Sequence, residues 1–393
     1  MSAVDITVVG AGPAGVAAAV TAAECGARVH LIDDNPAPGG QLWRGTPQEP
    51  WLRRLRASSI ELSAGLSAFD ERARSTRLIL ATGAREFYLP FPGWSLPGVL
   101  GVGGLQAWIK TSGNVSGRRI VVAGSGPLLL AAAATAREHG AEVALVAEQA
   151  PLGRQWAFAA RLWRHPSKLI QAAQLRLGLT LLNDCWVEAA LGDGQLREVR
   201  LRRGVKRWTE PCDLLATGYG LVPNTELAAL LGCAIHDGNV QVDAWQRTNV
   251  ENIWAAGELT GIGGADKSIV EGRIAGYAAT DELTLARRLQ RRARAWREFA
   301  ADLAKTFALR PEVLSLAADD TVICRCEGVT WGELKNRHDW REAKLQTRCG
   351  MGACQGRVCG AATRALAGWG PDGPGRPPTV PTKVGELFQT RSL

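Results

Sequence analysis

One arrangement constrains this sequence more than any other: a β-branched strand, a glycine turn and an alanine-rich helix, written twice. The first copy runs from Ile6 to about Ala23 around Gly10-Ala11-Gly12-Pro13-Ala14-Gly15, and the second from Ile120 to about His139 around Gly124-Ser125-Gly126. Each is followed by another short apolar strand, Val29–Ile32 and Val143–Val146, and later by an Ala-Thr-Gly turn, Ala81-Thr82-Gly83 and Ala216-Thr217-Gly218. Strand, helix and strand in this order build a parallel sheet, because a parallel neighbour needs a crossover and the helix supplies it. The expected fold class is α/β, with two Rossmann-like dinucleotide-binding domains.

At the first turn the three glycines stand where such a motif needs them. The first permits the tight turn, the second lets backbone approach a pyrophosphate, and the third lets helix and strand pack. The helix N-terminus adds unpaired N–H groups and a partial positive charge. Gly10, Gly12, Pro13, Ala14 and Gly15 are therefore expected cofactor contacts, together with Asp33, which ends the next strand where a carboxylate can meet ribose hydroxyls. Far downstream, Asn249–Glu258 reads as a strand ending in Gly257-Glu258, followed by a glycine turn and the helix-like Ile269–Gly276. This resembles the second FAD motif of glutathione-reductase-type flavoproteins. The resemblance implies FAD, with Glu258 on its ribityl chain, where aspartate is more usual, and Gly40 and Gln41 of Gly39-Gly40-Gln41 beside the cofactor. Ala81, Thr82 and Gly83 complete that expected set.

The second turn keeps Gly124 and Gly126 but has Leu129 where the third glycine belongs. A leucine there is expected to push helix and strand apart, so the loop holds NAD(P)H, another adenine nucleotide such as ATP, or nothing. Glu148 is the candidate ribose partner, with an exposed loop acid as the alternative.

Of nine cysteines, Cys324, Cys326, Cys349, Cys354 and Cys359 crowd into one short stretch, which reads as metal binding in a reducing cytosol. Cys324 and Cys326 with Cys354 and Cys359 are the expected ligand set, and Cys349 is left over. Four thiolates suit zinc as well as an iron–sulfur cluster, but the C-x-C pair on a flavoprotein body favours iron. Thr330-Trp331-Gly332-Glu333 reads as a capping box that opens a helix. Cys25, Cys185, Cys212 and Cys233 form no redox pair, which argues against disulfide reduction. The five histidines, His30, His139, His165, His236 and His338, sit in no acid–base constellation.

A net charge of +8 comes mostly from dispersed arginines, with one concentration from Arg287 to Arg297 that reads as a solvated helix face, and no nucleic-acid recognition motif accompanies it. The first strand begins almost at once, leaving no room for a signal segment, and no later stretch reads as a membrane span. The expected location is cytoplasmic.

The whole chain resembles the FAD-containing α-type subunit of hetero-oligomeric amine dehydrogenases: opine, octopine and nopaline dehydrogenases, D-hydroxyproline dehydrogenase, dye-linked proline dehydrogenase and hydrogen cyanide synthase. The carrying motifs are Gly10–Gly15, Pro38–Gln41, Ala123–Leu130, Gly257-Glu258 and Thr347–Gly352 leading into Cys354 and Cys359. Leu129 fits that family's second turn. The resemblance implies a bacterioferritin-associated-ferredoxin-like [2Fe–2S] module, FMN at a subunit interface, and two partners, a catalytic flavoprotein β subunit plus a small ferredoxin-like subunit. It implies an FAD domain at residues 1–104 and 243–280, a second nucleotide domain at 105–242, a helical connector at 281–318, a small helical [2Fe–2S] domain at 319–370 and an extended tail at 371–393. Only about forty residues separate Gln41 from Ala81, so the strands usually inserted there are expected to be trimmed.

Overall fold

The computed structural model describes residues 4–46, 48–66, 75–111, 113–371 and 373. The chain divides into two compact units, one of Met1–Arg85, Leu221–Ala301 and Gly373–Leu393, the other of Glu86–Gly220 and Asp302–Asp372. The chain crosses earlier than the expected boundaries after 104 and 242. At the first crossing the strand Val99–Gly101 pairs with Leu214–Gly218 and so draws the residues before it into the second unit.

In the first unit five strands lie in the order Ile253–Ala255, Ser75–Leu80, Val4–Val9, Val29–Asp33 and Glu61–Ala64, every pairing parallel. The helix Pro13–Glu24 starts at a proline in its first turn, and its alanines from Ala14 to Ala22 leave it thin enough to be buried almost throughout. The helix Ala265–Ala279 crosses it closely. A Cβ on Gly272 would stand 2.1 Å from the Ala14 carbonyl oxygen, so only glycine permits this approach.

The second unit repeats the plan with Val99–Gly101, Leu214–Gly218, Arg119–Gly124, Glu142–Glu148 and Leu181–Asn183. It adds an antiparallel sheet of Cys185–Leu191, Glu198–Arg203 and Lys206–Pro211. The stretch of the first unit where trimmed strands were expected, between Ala64 and Ser75, lies largely outside the described residues.

The arginine-rich segment forms two helices, Leu283–Arg287 and Gln290–Thr306, the longer of which buries Ala293 and Trp296 against Val270 and Ile274. The cysteine segment then opens as a hairpin, Val322–Cys324 with Val329–Thr330, and continues through three helices, Trp331–Leu334, Trp340–Thr347 and Cys359–Ala367. Thr330 and Glu333 form the expected capping box. The expected tail lies outside the described residues, except for 371 and 373.

Candidate cofactor sites

The first glycine turn joins Val4–Val9 to its helix, and each glycine meets a different neighbour. A Cβ on Gly10 would fall 2.2 Å from the Ala81 carbonyl oxygen and one on Gly15 1.7 Å from the Gly10 oxygen, whereas one on Gly12 would meet nothing within 4 Å. Packing therefore explains the outer two glycines, and open space above the helix N-terminus remains at the middle one. Asp33 is buried at the end of the second strand and receives the Ala11 N–H, while Asn35 donates to its other oxygen from backbone and side chain, both at 2.7 Å. The loop through Gly40 seats against this turn, with the Gly39 N–H donating to the Ala11 oxygen at 2.7 Å, and Gln41 is exposed beside it. Thr82 donates from Oγ1 to the Asn224 oxygen, and Asn224 returns a bond to the Thr82 oxygen, fixing the Ala81–Gly83 turn.

Gly257 and Glu258 stand at the end of the strand Ile253–Ala255, as expected. The Glu258 carboxylate accepts the N–H groups of Gly263 and Gly264 at 3.1 and 2.6 Å, and burial raises its pKa. Sequence reasoning missed what holds this turn. Lys267 and Glu271, both buried, pair at 2.7 Å one helical turn apart; Lys267 Nζ donates to the Gly257 oxygen, and the Gly257 N–H donates to Glu271. Their i, i+4 spacing was the available signal. A turn with an open middle glycine, a helix N-terminus and a carboxylate at its strand end fits a dinucleotide pyrophosphate and ribose.

The second turn is built alike but covered. The expected separation of helix and strand by Leu129 is not realised, because Leu129 is buried against Gly218, whose missing side chain leaves it room. Glu148 is buried, not an exposed loop acid, and accepts the N–H groups of Gly126 and Ala150, both at 2.7 Å. Ser125 Oγ donates to the Phe307 oxygen at 2.8 Å. Gln149 donates to Ser125 Oγ and to the Ala308 oxygen, and accepts the Arg310 N–H. Arg310 lies over the Trp186 ring at 4.4 Å and pairs with Asp184 at 2.6 Å. Residues Phe307 to Arg310 thus lie on the loop that would face a nucleotide, a long-range contact with no local sequence signal.

Burial pushes the Glu148 carboxyl up to about 7, against bonds from Ala150, Gly126 and Ser125 that pull it down. The folded chain then keeps a proton that the unfolded chain gives up above its ordinary value, so this group lowers stability as pH rises from about 4.5 to about 7. The loss is on the order of 3 kcal/mol at full effect. Glu148→Gln cannot ionise, so its melting temperature relative to the parent is expected to climb by several degrees between pH 5 and pH 8. A pH-independent difference in thermal melts would refute this.

The cysteine segment gathers its thiols. The sulfurs of Cys324, Cys349 and Cys359 lie within 4.8 Å of one another, all buried. Cys354 interacts with Cys359 and with the exposed Cys326, so the Cys354 and Cys326 sulfurs adjoin the buried three. The tight group thus holds two of the four expected ligands, Cys324 and Cys359, together with the left-over Cys349, while Cys326 and Cys354 lie at its edge. The Gly350 N–H adds a bond to the Cys324 sulfur at 3.5 Å. Proton sharing within the group brings the Cys324 thiol down to about 2 and Cys354 to about 5, while it pushes Cys349 up to about 12 and Cys326 and Cys359 up as well. By contrast Cys185 and Cys212 are isolated in the core, and burial pushes each up to about 12. Converging thiols with a backbone N–H on one sulfur fit a thiolate-bound metal or iron–sulfur cluster.

Comparison with known proteins agrees with the nucleotide-binding part of this arrangement. Residues 5–60 match the FAD dependent oxidoreductase family and residues 60–279 the pyridine nucleotide-disulphide oxidoreductase family. An opine oxidase subunit of Rhizobium meliloti (strain 1021) is 34% identical over 98% of this chain and 99% of its own length; hydrogen cyanide synthase subunit HcnB of Pseudomonas aeruginosa is 32% identical over 90% of each. The first alignment runs over 457 positions against 393 residues here, so that relative carries insertions this chain lacks. The crystal structure of L-proline dehydrogenase from P. horikoshii superposes with a TM-score of 0.69 at 18% identity, covering 98% of this chain and 79% of that one, and shares its fold.

Proposed function

The chain belongs to the family of these opine oxidase and hydrogen cyanide synthase subunits, and on that premise we propose that it is the electron-transfer subunit of a hetero-oligomeric dehydrogenase whose substrate is a secondary amine or imino acid of the D-hydroxyproline, proline or opine class. The chain is an FAD-dependent oxidoreductase. In this reading a separate flavoprotein subunit oxidises the amine to an imine, and the two electrons pass to this chain. A small ferredoxin-like subunit is a further partner of the same assembly.

The observation that carries the reading is the cover on the second turn. Phe307 to Arg310 occupy the face of Ser125 and Gly126 that a nicotinamide nucleotide would use, which favours electrons arriving from a partner chain. ATP or NAD(P)H would have to displace those bonds. The contrast with the open first turn is internal to the molecule.

FAD, when bound, takes electrons in pairs and releases them singly, and a [2Fe–2S] cluster carries one at a time. The protein's part is positional. Gly12 and the helix behind it would face the pyrophosphate, Asp33 would face the ribose, and Glu258 follows Gly257, which the Lys267–Glu271 pair holds. Cys324, Cys326, Cys354 and Cys359 would hold the cluster, with backbone N–H groups from the intervening glycines turned toward sulfur.

The test is the visible spectrum of the anaerobically purified chain. With NADH added, the flavin bands are expected to stay oxidised over many minutes, and to bleach when the amine is supplied together with the catalytic subunit. Prompt bleaching by NADH alone would replace this reading with that of a self-sufficient NAD(P)H-dependent reductase.

A further inference from the structure

We propose that the segment Leu152–Leu177 of the second unit is the docking face for the catalytic flavoprotein subunit, which would present an apolar groove rimmed by carboxylates; this rests on the multi-subunit reading above. The segment consists of the helix Leu152–Ala159, a single 3-10 turn Leu162–Arg164 and the helix Pro166–Arg176. Neither α-helix has a buried residue, and both pack on the turn between them, so the three pieces make one surface.

What that surface shows to solvent is unusual. Trp156 and Trp163 are 67% and 71% exposed, Ile170 and Leu177 are 59% and 69% exposed, and Leu152 and Leu169 of the same segment are exposed too. Scattered single apolar residues need no explanation, but soluble proteins rarely leave a large apolar group together unless something covers it. Exposed tryptophan next to arginine is also the composition of the energetic centre of protein interfaces.

Charge decides what covers it. The same segment carries Arg154, Arg161, Arg164, Lys168 and Arg176 and no aspartate or glutamate. Arg161 reaches Asp302 on the neighbouring helix, but the segment has no internal acid to balance its cations. A second copy meeting through the same face by two-fold symmetry would set these cations against themselves, which disfavours self-association. A different chain with acidic residues around an apolar groove complements both features. The curated relatives that this chain matches along nearly their whole length are themselves subunits of larger enzymes by name.

The experiment uses the complex isolated through a tag on the full-length chain, compared with two variants. Trp156→Glu/Trp163→Glu alters only exposed side chains, and Val205→Glu, at a residue 99% exposed elsewhere in the unit, is the control. The double variant is expected to keep its flavin spectrum and melting temperature and to lose the catalytic subunit, with at least a tenfold weaker association that falls further as salt rises. The control is expected to assemble normally. In hydrogen exchange, residues 152–177 are expected to be protected in the complex relative to the isolated chain. Normal assembly of the double variant, or no protection, would overturn the docking face while leaving the multi-subunit reading intact. Failure of the parent chain to bring any catalytic flavoprotein would instead overturn that reading. Two further outcomes count against the proposal: a homodimer that the double variant abolishes, and flotation of the isolated chain with phosphatidylglycerol vesicles through this segment, which would make the partner an anionic membrane.

Discussion

Cys324→Ser is expected to remove nearly all iron and acid-labile sulfide from the purified chain while leaving FAD bound in the other unit. Cys324 is at the centre of the buried group, with the Cys349 and Cys359 sulfurs within 4.8 Å and the Gly350 N–H bonded to it. On the proposed ligand set, serine there withdraws one of four thiolates from the group that Cys349 also joins. The same loss is expected for Cys326, Cys354 and Cys359, which form a connected run of thiols with Cys324. Gly352 supports Cys326 in this role: a Cβ at Gly352 would stand 2.3 Å from Cys326 Cβ, so the loop is shaped to let that residue close on the others. Cys349 stands within 4.8 Å of Cys324 and, outside the proposed ligand set, is a thiol able to donate to it; its replacement by alanine is expected to keep the iron. Removing a hydrogen bond to a ligand sulfur leaves more charge on the cluster and is expected to lower its reduction potential by on the order of tens of millivolts. Iron analysis with a redox titration separates the two classes. Iron retained by Cys326→Ser and lost by Cys349→Ala would transfer the fourth ligand position to Cys349.

That division between Cys326 and Cys349 marks where sequence reading stops. The five cysteines and their glycines announce a thiolate site because spacing is local, and a C-x-C hairpin with a later C-x4-C brings sulfurs together in few geometries. Which four of five converge depends on how the helix Trp340–Thr347 returns the chain, a tertiary matter. The parallel sheets were legible for the same local reason, since strand, glycine turn and helix periodicities leave few alternatives. Leu129 shows the limit from the other side. The departure from the glycine pattern was visible, but its consequence depended on Gly218, far along the chain, which removes the obstacle. The cover on the second turn was invisible for an analogous reason. Nothing near Ser125 points to Phe307, and the bond between them comes from the path of a connector that reads simply as a basic helix. Long-range contacts of this kind decide whether a nucleotide motif is a working site.

Gly12→Ala is expected to fold like the parent and to bind FAD at least about tenfold more weakly, a loss of about 1.4 kcal/mol or more, whereas Gly15→Ala is expected to damage the fold itself. The two glycines lie in one turn, but their surroundings differ. Gly12 has φ −77° and ψ −173°, an extended conformation open to any residue, and a Cβ there meets no protein atom within 4 Å. Alanine at this position should cost the protein without cofactor almost nothing, and should even restrict the unfolded chain slightly. The added methyl would instead stand in the space through which pyrophosphate approaches the backbone. Gly15 faces inward, and its Cβ would stand 1.7 Å from the Gly10 oxygen, a backbone atom that cannot move without shifting the strand Val4–Val9. Overpacking of this sort costs about 1–3 kcal/mol or more and is independent of ligand. Thermal melts with and without added FAD distinguish the cases. Gly12→Ala should melt near the parent without FAD and gain less from its addition, because stabilisation by a ligand falls as its affinity falls. Gly15→Ala should melt lower in both conditions, and equal loss by both variants in the absence of FAD would mean that the middle glycine serves packing rather than the cofactor.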